Sequence, residues 1–155
     1  MSYPFMQRAI EMAVANVHTG RGGPFAALVV RKGEIIGTGT NLVTSTNDPT
    51  AHAEIVAIRE ACEEINSFHL DGCDLYTTCE PCPMCLGAIY WAHIARIFYG
   101  STRHDAALAG FDDDFIYREI ERPPHLRRVQ MIQLAHADAQ RAFQAWSEYE
   151  DRTRY

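Results

Sequence analysis

The chain has no apolar run long enough to cross a bilayer: the longest charge-free apolar stretch near its start is Pro24 to Val30, against the roughly 20 residues that a membrane helix needs. Met1 to Arg8 also lacks the basic-then-apolar layout of a secretory leader. A cytoplasmic protein is expected. It has no excess of basic residues either: 14 Lys and Arg stand against 20 Asp and Glu, for a formal charge of −6. Proteins that grip polynucleotides usually present a basic face, so a nucleic-acid substrate is disfavoured. Cysteine is scarce and odd in number, with five residues at 62, 73, 79, 82 and 85. That disfavours a disulfide framework and leaves metal binding or redox chemistry as the stronger reading. Repeats and low-complexity tracts are missing too, and 155 residues suit one domain, 1–155, that buries roughly two-thirds of its unfolded surface.

What is present alternates between two periods. Phe5, Ala9, Ala13 and Val17, with Ile10 and Met12, recur at helical spacing and stop at the breaker Thr19 to Pro24. Phe25 to Val30 and Ile35 to Thr40 are short β-favouring runs joined by Arg31-Lys32-Gly33-Glu34, a hairpin pattern. After the polar loop Asn41 to Thr50, a helix is predicted from Ala51, with Ile55, Ile58, Cys62 and Ile65 as its apolar stripe. Strands are predicted at Asp74 to Thr78, Ala95 to Tyr99 and Val129 to Leu134, and helices from about Cys82 to Ala92, at Asp105 to Ala109 and from about Ala137. The order α-β-β-α-β-α-β-α-β-α predicts an α/β domain with its sheet in the middle.

Three residues suit a catalytic zinc, which takes three protein donors and keeps one position open for water. Cys82 and Cys85, three apart at a predicted helix start, share a face, and the helix N-terminus favours their thiolates. His52, in the first turn of another predicted helix, supplies the imidazole. Glu54, two residues on, lies near such a metal without binding it, placed to take and return the proton of a metal-acidified water. The combination His-x-Glu with Pro-Cys-x-x-Cys is the signature of zinc deaminases.

Blander readings compete. Cys-x-x-Cys at a strand-to-helix turn is also a redox motif, although His52-Ala53-Glu54 upstream argues against it. Cys79 as a fourth donor would close the site and make the zinc structural, the mark of a binding module and not an enzyme. The preferred reading makes Cys79, Cys62 and Cys73 small buried hydrophobes. His18, His69, His93, His104, His125 and His136 are read as surface or core residues.

Three stretches carry a resemblance: Asn47-Asp48-Pro49-Thr50-Ala51-His52-Ala53-Glu54, the run Thr78 to Trp91 around Cys-Glu-Pro-Cys-Pro-Met-Cys, and Ala109-Gly110-Phe111-Asp112-Asp113-Asp114-Phe115-Ile116-Tyr117. A further likeness runs from Phe143-Gln144-Ala145-Trp146 to Tyr155. The chain resembles the cytidine-deaminase-like superfamily and, within it, the bacterial guanine deaminases. The resemblance implies a three-layer α/β/α sandwich around a mixed five-stranded sheet, one Zn2+ per chain, a homodimer, and hydrolysis of guanine to xanthine and ammonia. It implies a substrate site of Phe25, Asn41, Ala53, Trp91, Asp113 and Tyr155, in which Phe25 and Trp91 sandwich a flat base and Asp113 accepts from the N–H groups of guanine. On its own, Asp112-Asp113-Asp114 reads as a solvated acidic loop. It also makes residues 137–155 a helix and tail that cap an active site, in the same chain or exchanged between subunits. Guanosine, cytosine, cytidine and, given the acidic charge, more remotely tRNA adenosine remain alternative substrates.

Overall fold

The computed structural model describes residues 3–155. They fall into two compact units, Met1–Asp114 and Phe115–Tyr155.

The first unit is built on a four-stranded sheet. Its elements are α1 (Tyr3–His18), β1 (Ala26–Arg31), β2 (Glu34–Thr40), α2 (Val43–Thr46), α3 (Ala53–Glu64), β3 (Cys73–Cys79), α4 (Pro83–Trp91), β4 (Arg96–Ser101) and α5 (Arg103–Leu108). β1 and β2 form the predicted hairpin, turning at Lys32 and Gly33, both with positive φ. A two-residue turn with two left-handed residues matches the strand twist, and Gly33 takes that conformation without steric cost. The sheet order is β2-β1-β3-β4, with β1 antiparallel to β3 and β3 parallel to β4.

Side-chain alternation gives each strand two faces. Ala27, Val29, Cys73 and Leu75 pack with Ala53, Ala57 and Ala61 of α3 and Ile89 of α4. Leu28, Val30 and Tyr76 face the other way, onto Ala9, Phe5 and Met6 of α1. Three layers, α/β/α, result. The α3 side is packed backbone to backbone: a Cβ at Gly39 of β2 would collide with the Ala53 carbonyl oxygen and crowd the Ala57 nitrogen. The alanines of α3 and the glycines of β2 therefore set where the first turn of α3 sits.

The second unit holds all of α6 (Asp114–Glu121) but its first residue, a single 3-10 turn at Pro124–Leu126 and α7 (His136–Glu148). The Arg127 guanidinium gathers the orphan carbonyls at the end of α6, donating to Glu119, Ile120 and Arg122 at 3.0 Å each. Arg152 does the same after α7, donating to the carbonyls of Ser147 (3.0 Å) and Tyr149 (2.8 Å).

The predicted fifth strand, Val129 to Leu134, is not formed among the described residues, and the sheet is four-stranded. Val129 and Leu134 are each 79% exposed. β-Branched residues favour a strand only where a ladder and a covering face meet them, and this segment has neither.

Candidate metal centre and active site

The three sequence-predicted donors come together where two helices start. β3 ends at Cys79, and the chain turns through Cys82, the N-cap of α4, whose sulfur accepts the Cys85 backbone N–H at 3.5 Å. Pro83 stands at the first helical position, where its missing N–H costs nothing. His52 caps α3 with an extended backbone. Its Nδ1 lies 3.5 Å from both Cys82 Sγ and Cys85 Sγ. Tetrahedral zinc with ordinary Zn–S and Zn–N bonds puts nitrogen and sulfur about 3.6 Å apart. The residues present therefore fit one zinc-sized ion.

The electrostatics of the cluster's side chains alone favour the donor form at Cys82 and hold Cys85 and His52 protonated. Cys82 is drawn down to about 4, first by the hydrogen bond from the Cys85 thiol and then, against burial, by His52. Cys85 is pushed up by that same shared proton and by burial, so the first thiolate forms on the more exposed Cys82. His52 is raised, chiefly by its bond to Cys82. Cys79 stands apart. Its sulfur faces the Thr102 carbonyl at 3.6 Å, burial pushes its thiol up to about 11, and it is not among the donor atoms that cluster with His52, Cys82 and Cys85.

Glu54, in the first turn of α3, is 7% exposed, and its Oε2 lies 3.4 Å from Cys85 Sγ. Burial raises its carboxyl above the usual range. Thr77 of β3 donates to the other oxygen, Oε1, at 3.1 Å. Sequence reasoning missed Thr77, yet its alternation with Leu75 and Cys79 already put a hydroxyl on the face toward α3.

The remaining predicted residues are placed as follows. Ala53 is fully buried beside Glu54. Asn41 is buried at the end of β2, its Oδ1 accepting from Gly23 N (3.4 Å) and Val43 N (3.3 Å), which leaves Nδ2 as a donor. Leu42 N bonds the Ala51 carbonyl at 3.0 Å and ties this loop to His52. Phe25 meets Phe111 edge-on at 4.9 Å. Both also line a cavity of about 660 Å³ with Val14, Val17, Thr78 and Cys79, which touches no metal donor.

Asp113 is close enough for its charge to act on His52 and Cys82. Its Oδ1 is buried without a partner, and burial, then the Cys82 charge, raises its carboxyl. Trp91 ends α4, nine residues and about 13 Å of helix rise past Cys82, and is 68% exposed, so it does not join the donor cluster. Tyr155 belongs to the second unit and is mostly exposed.

A three-layer α/β/α unit with a one-imidazole, two-thiolate set and a buried carboxylate beside it defines a class, that of single-metal hydrolytic centres. Residues 2–101 match the model of the cytidine and deoxycytidylate deaminase zinc-binding region, and the chain belongs to that family. It is 50% identical over 151 residues to the guanine deaminase of Bacillus subtilis, covering 97% of each chain. The X-ray structure of a Bacillus subtilis guanine deaminase superposes with a TM-score of 0.98 at 48% identity, over 100% of this chain and 99% of that one. Similarity to the tRNA-specific adenosine deaminase of Aquifex aeolicus is narrower, 41% over 91 residues, covering 57% of this chain and 60% of that one.

Proposed function

We propose that this chain hydrolyses guanine to xanthine and ammonia with one Zn2+ held by His52, Cys82 and Cys85 and with Glu54 as proton carrier. The observation that carries the reading is the buried Glu54 carboxylate at the edge of a zinc-sized donor triangle, in a chain half identical along nearly its whole length to a guanine deaminase. When bound, zinc supplies a Lewis acid that lowers the pKa of water to about 7. Glu54 Oε1 is held by Thr77, so Oε2 takes the water proton. It then delivers protons to the ring nitrogen and to the amino group as the C2–N bond breaks and a C2–O bond replaces it.

Asp113 supports guanine over the other bases. Its unpartnered Oδ1 is an acceptor near the donor triangle, and guanine carries N–H groups next to its reactive carbon. Asn41, its oxygen already committed, complements this as a donor to a purine acceptor. We assign Ala53, Phe25, Trp91 and Tyr155 to the substrate site on resemblance, with residues 137–155 as its cover, in the same chain or a partner. We assign a homodimer on the same resemblance. All five cysteines are free and no helix among the described residues is long and apolar enough to cross a membrane, in keeping with a cytoplasmic enzyme. The test is a panel of guanine, guanosine, cytosine, cytidine and tRNA. The reading requires guanine to have the highest kcat/KM, and faster turnover of any other substrate overturns it.

A further inference from the structure

A second group of metal-ligating side chains lies where α3 and α4 end. His69 and Asp71 are in the loop from α3 to β3, and His93 is in the turn from α4 to β4. One donor atom from each lies within 4.8 Å of the other two. β3 separates them from the first centre by six residue steps, about 20 Å. They are not part of it.

The two loops are joined by backbone. Leu70 N donates to the Ala92 carbonyl at 2.7 Å, and Ala95 N to the Cys73 carbonyl at 2.9 Å. Onto this frame Asp71 sets one carboxylate oxygen toward each imidazole: Oδ1 is 3.5 Å from His93 Nδ1, and Oδ2 is 3.9 Å from His69 Nδ1. The rings stack, with centroids 4.1 Å apart and planes 17° from parallel. His93 has φ +59, a left-handed conformation disfavoured for a residue with a Cβ, and this places its ring over His69. His69 Nε2 is buried without a hydrogen-bond partner, so the polar bonding of that ring is at Nδ1, on the Asp71 side.

Two imidazoles and one carboxylate suit a borderline divalent cation and not Ca2+ or Mg2+, which take oxygen ligands. For a tetrahedral or octahedral ion with bonds near 2.1 Å, donor pairs are about 3.0 to 3.4 Å apart. The His93–Asp71 pair is already close to that. Binding requires the partly exposed His93 ring to turn out of the stack, so that its lone pair and that of His69 meet on one ion.

We propose that His69, Asp71 and His93 form a second, non-catalytic site for a borderline divalent cation such as Zn2+. An ion there staples the far ends of α3 and α4, the two helices whose first turns carry His52, Glu54, Cys82 and Cys85. Its effect is on stability, because an ion that binds only the folded chain raises the melting temperature with its concentration. The proposal is independent of the substrate reading.

The test is Zn2+ titration of the protein as purified, with ions per chain counted by native mass spectrometry and melting followed in parallel. Wild type takes up one more ion per chain than H93Q or D71N, and its Tm rises with added Zn2+ where theirs does not. The variants bind that ion at least tenfold more weakly and keep guanine turnover within twofold. Both altered side chains are well exposed, so each variant folds; H69Q, whose ring is less exposed, is a third arm. Equal ion counts in wild type and both variants, or a Tm that Zn2+ does not raise in wild type, overturns the proposal.

Discussion

Replacing Thr77 by valine removes one hydrogen bond and almost nothing else. The side chain is 1% exposed on the central strand β3, valine has nearly its shape, and no cavity opens. What goes is the 3.1 Å bond from Oγ1 to Glu54 Oε1. A hydrogen bond to a charged group contributes about 1.5 to 3 kcal/mol. If that bond holds the carboxylate where it meets the water, its loss appears in the transition state, and about 1.4 kcal/mol per decade converts it to a roughly ten- to 150-fold fall in kcat. KM changes little, because Thr77 lies behind Glu54. Thr77→Ser, which keeps the hydroxyl, restores most of the rate. Steady-state deamination followed at the xanthine absorbance, with zinc content measured on the same samples, reads all of this. A valine variant within twofold of wild type in kcat, with its zinc retained, refutes the claim that Thr77 aims the carboxylate.

Glu54→Gln keeps the Thr77 bond but gives up the proton acceptor, so kcat falls by about a hundred- to ten-thousandfold while zinc stays bound, checked by kinetics and elemental analysis. Asp113→Asn loses guanine turnover far more than it loses zinc, because it replaces the acceptor with a donor at one edge; Asp114→Ala does much less, and the reverse order would assign the wrong carboxylate. Deleting about the last eight residues lowers substrate affinity and turnover together, with Tyr155→Ala reproducing part of the loss and zinc unchanged; full activity in the truncated protein would reduce the tail to an ordinary terminus.

The donor cluster of His52, Cys82 and Cys85 was legible because its signals are local. His52-Ala53-Glu54 and Cys82-Pro83-Met84-Cys85 each begin a helix, and capping residues and an apolar stripe mark helix starts in one dimension. The α/β class and the hairpin were legible for the same reason, since periodicity and a Lys-Gly turn are short-range signals. What failed was long-range. Val129 to Leu134 has the composition of a strand, but a strand needs a neighbour, and its neighbour is not encoded within the segment. The four-residue α2 is too short for a repeating stripe, whereas α6 carries one at Ile116 and Ile120 that was overlooked beside the acidic run Asp112 to Asp114. Asp113 looked like one of three equal carboxylates, and only the fold buries its Oδ1. The His69–Asp71–His93 group was invisible because its members are 24 residues apart at the extremes and meet only across two loops.

The most direct measurement is guanine turnover in 18O-labelled water by zinc-replete protein, with product mass and ammonia determined together. The account predicts xanthine carrying one 18O, with one ammonia released per xanthine, and product formed at least about a hundredfold more slowly by Glu54→Gln under the same conditions. Guanine recovered unchanged, or xanthine formed without the label, would contradict it.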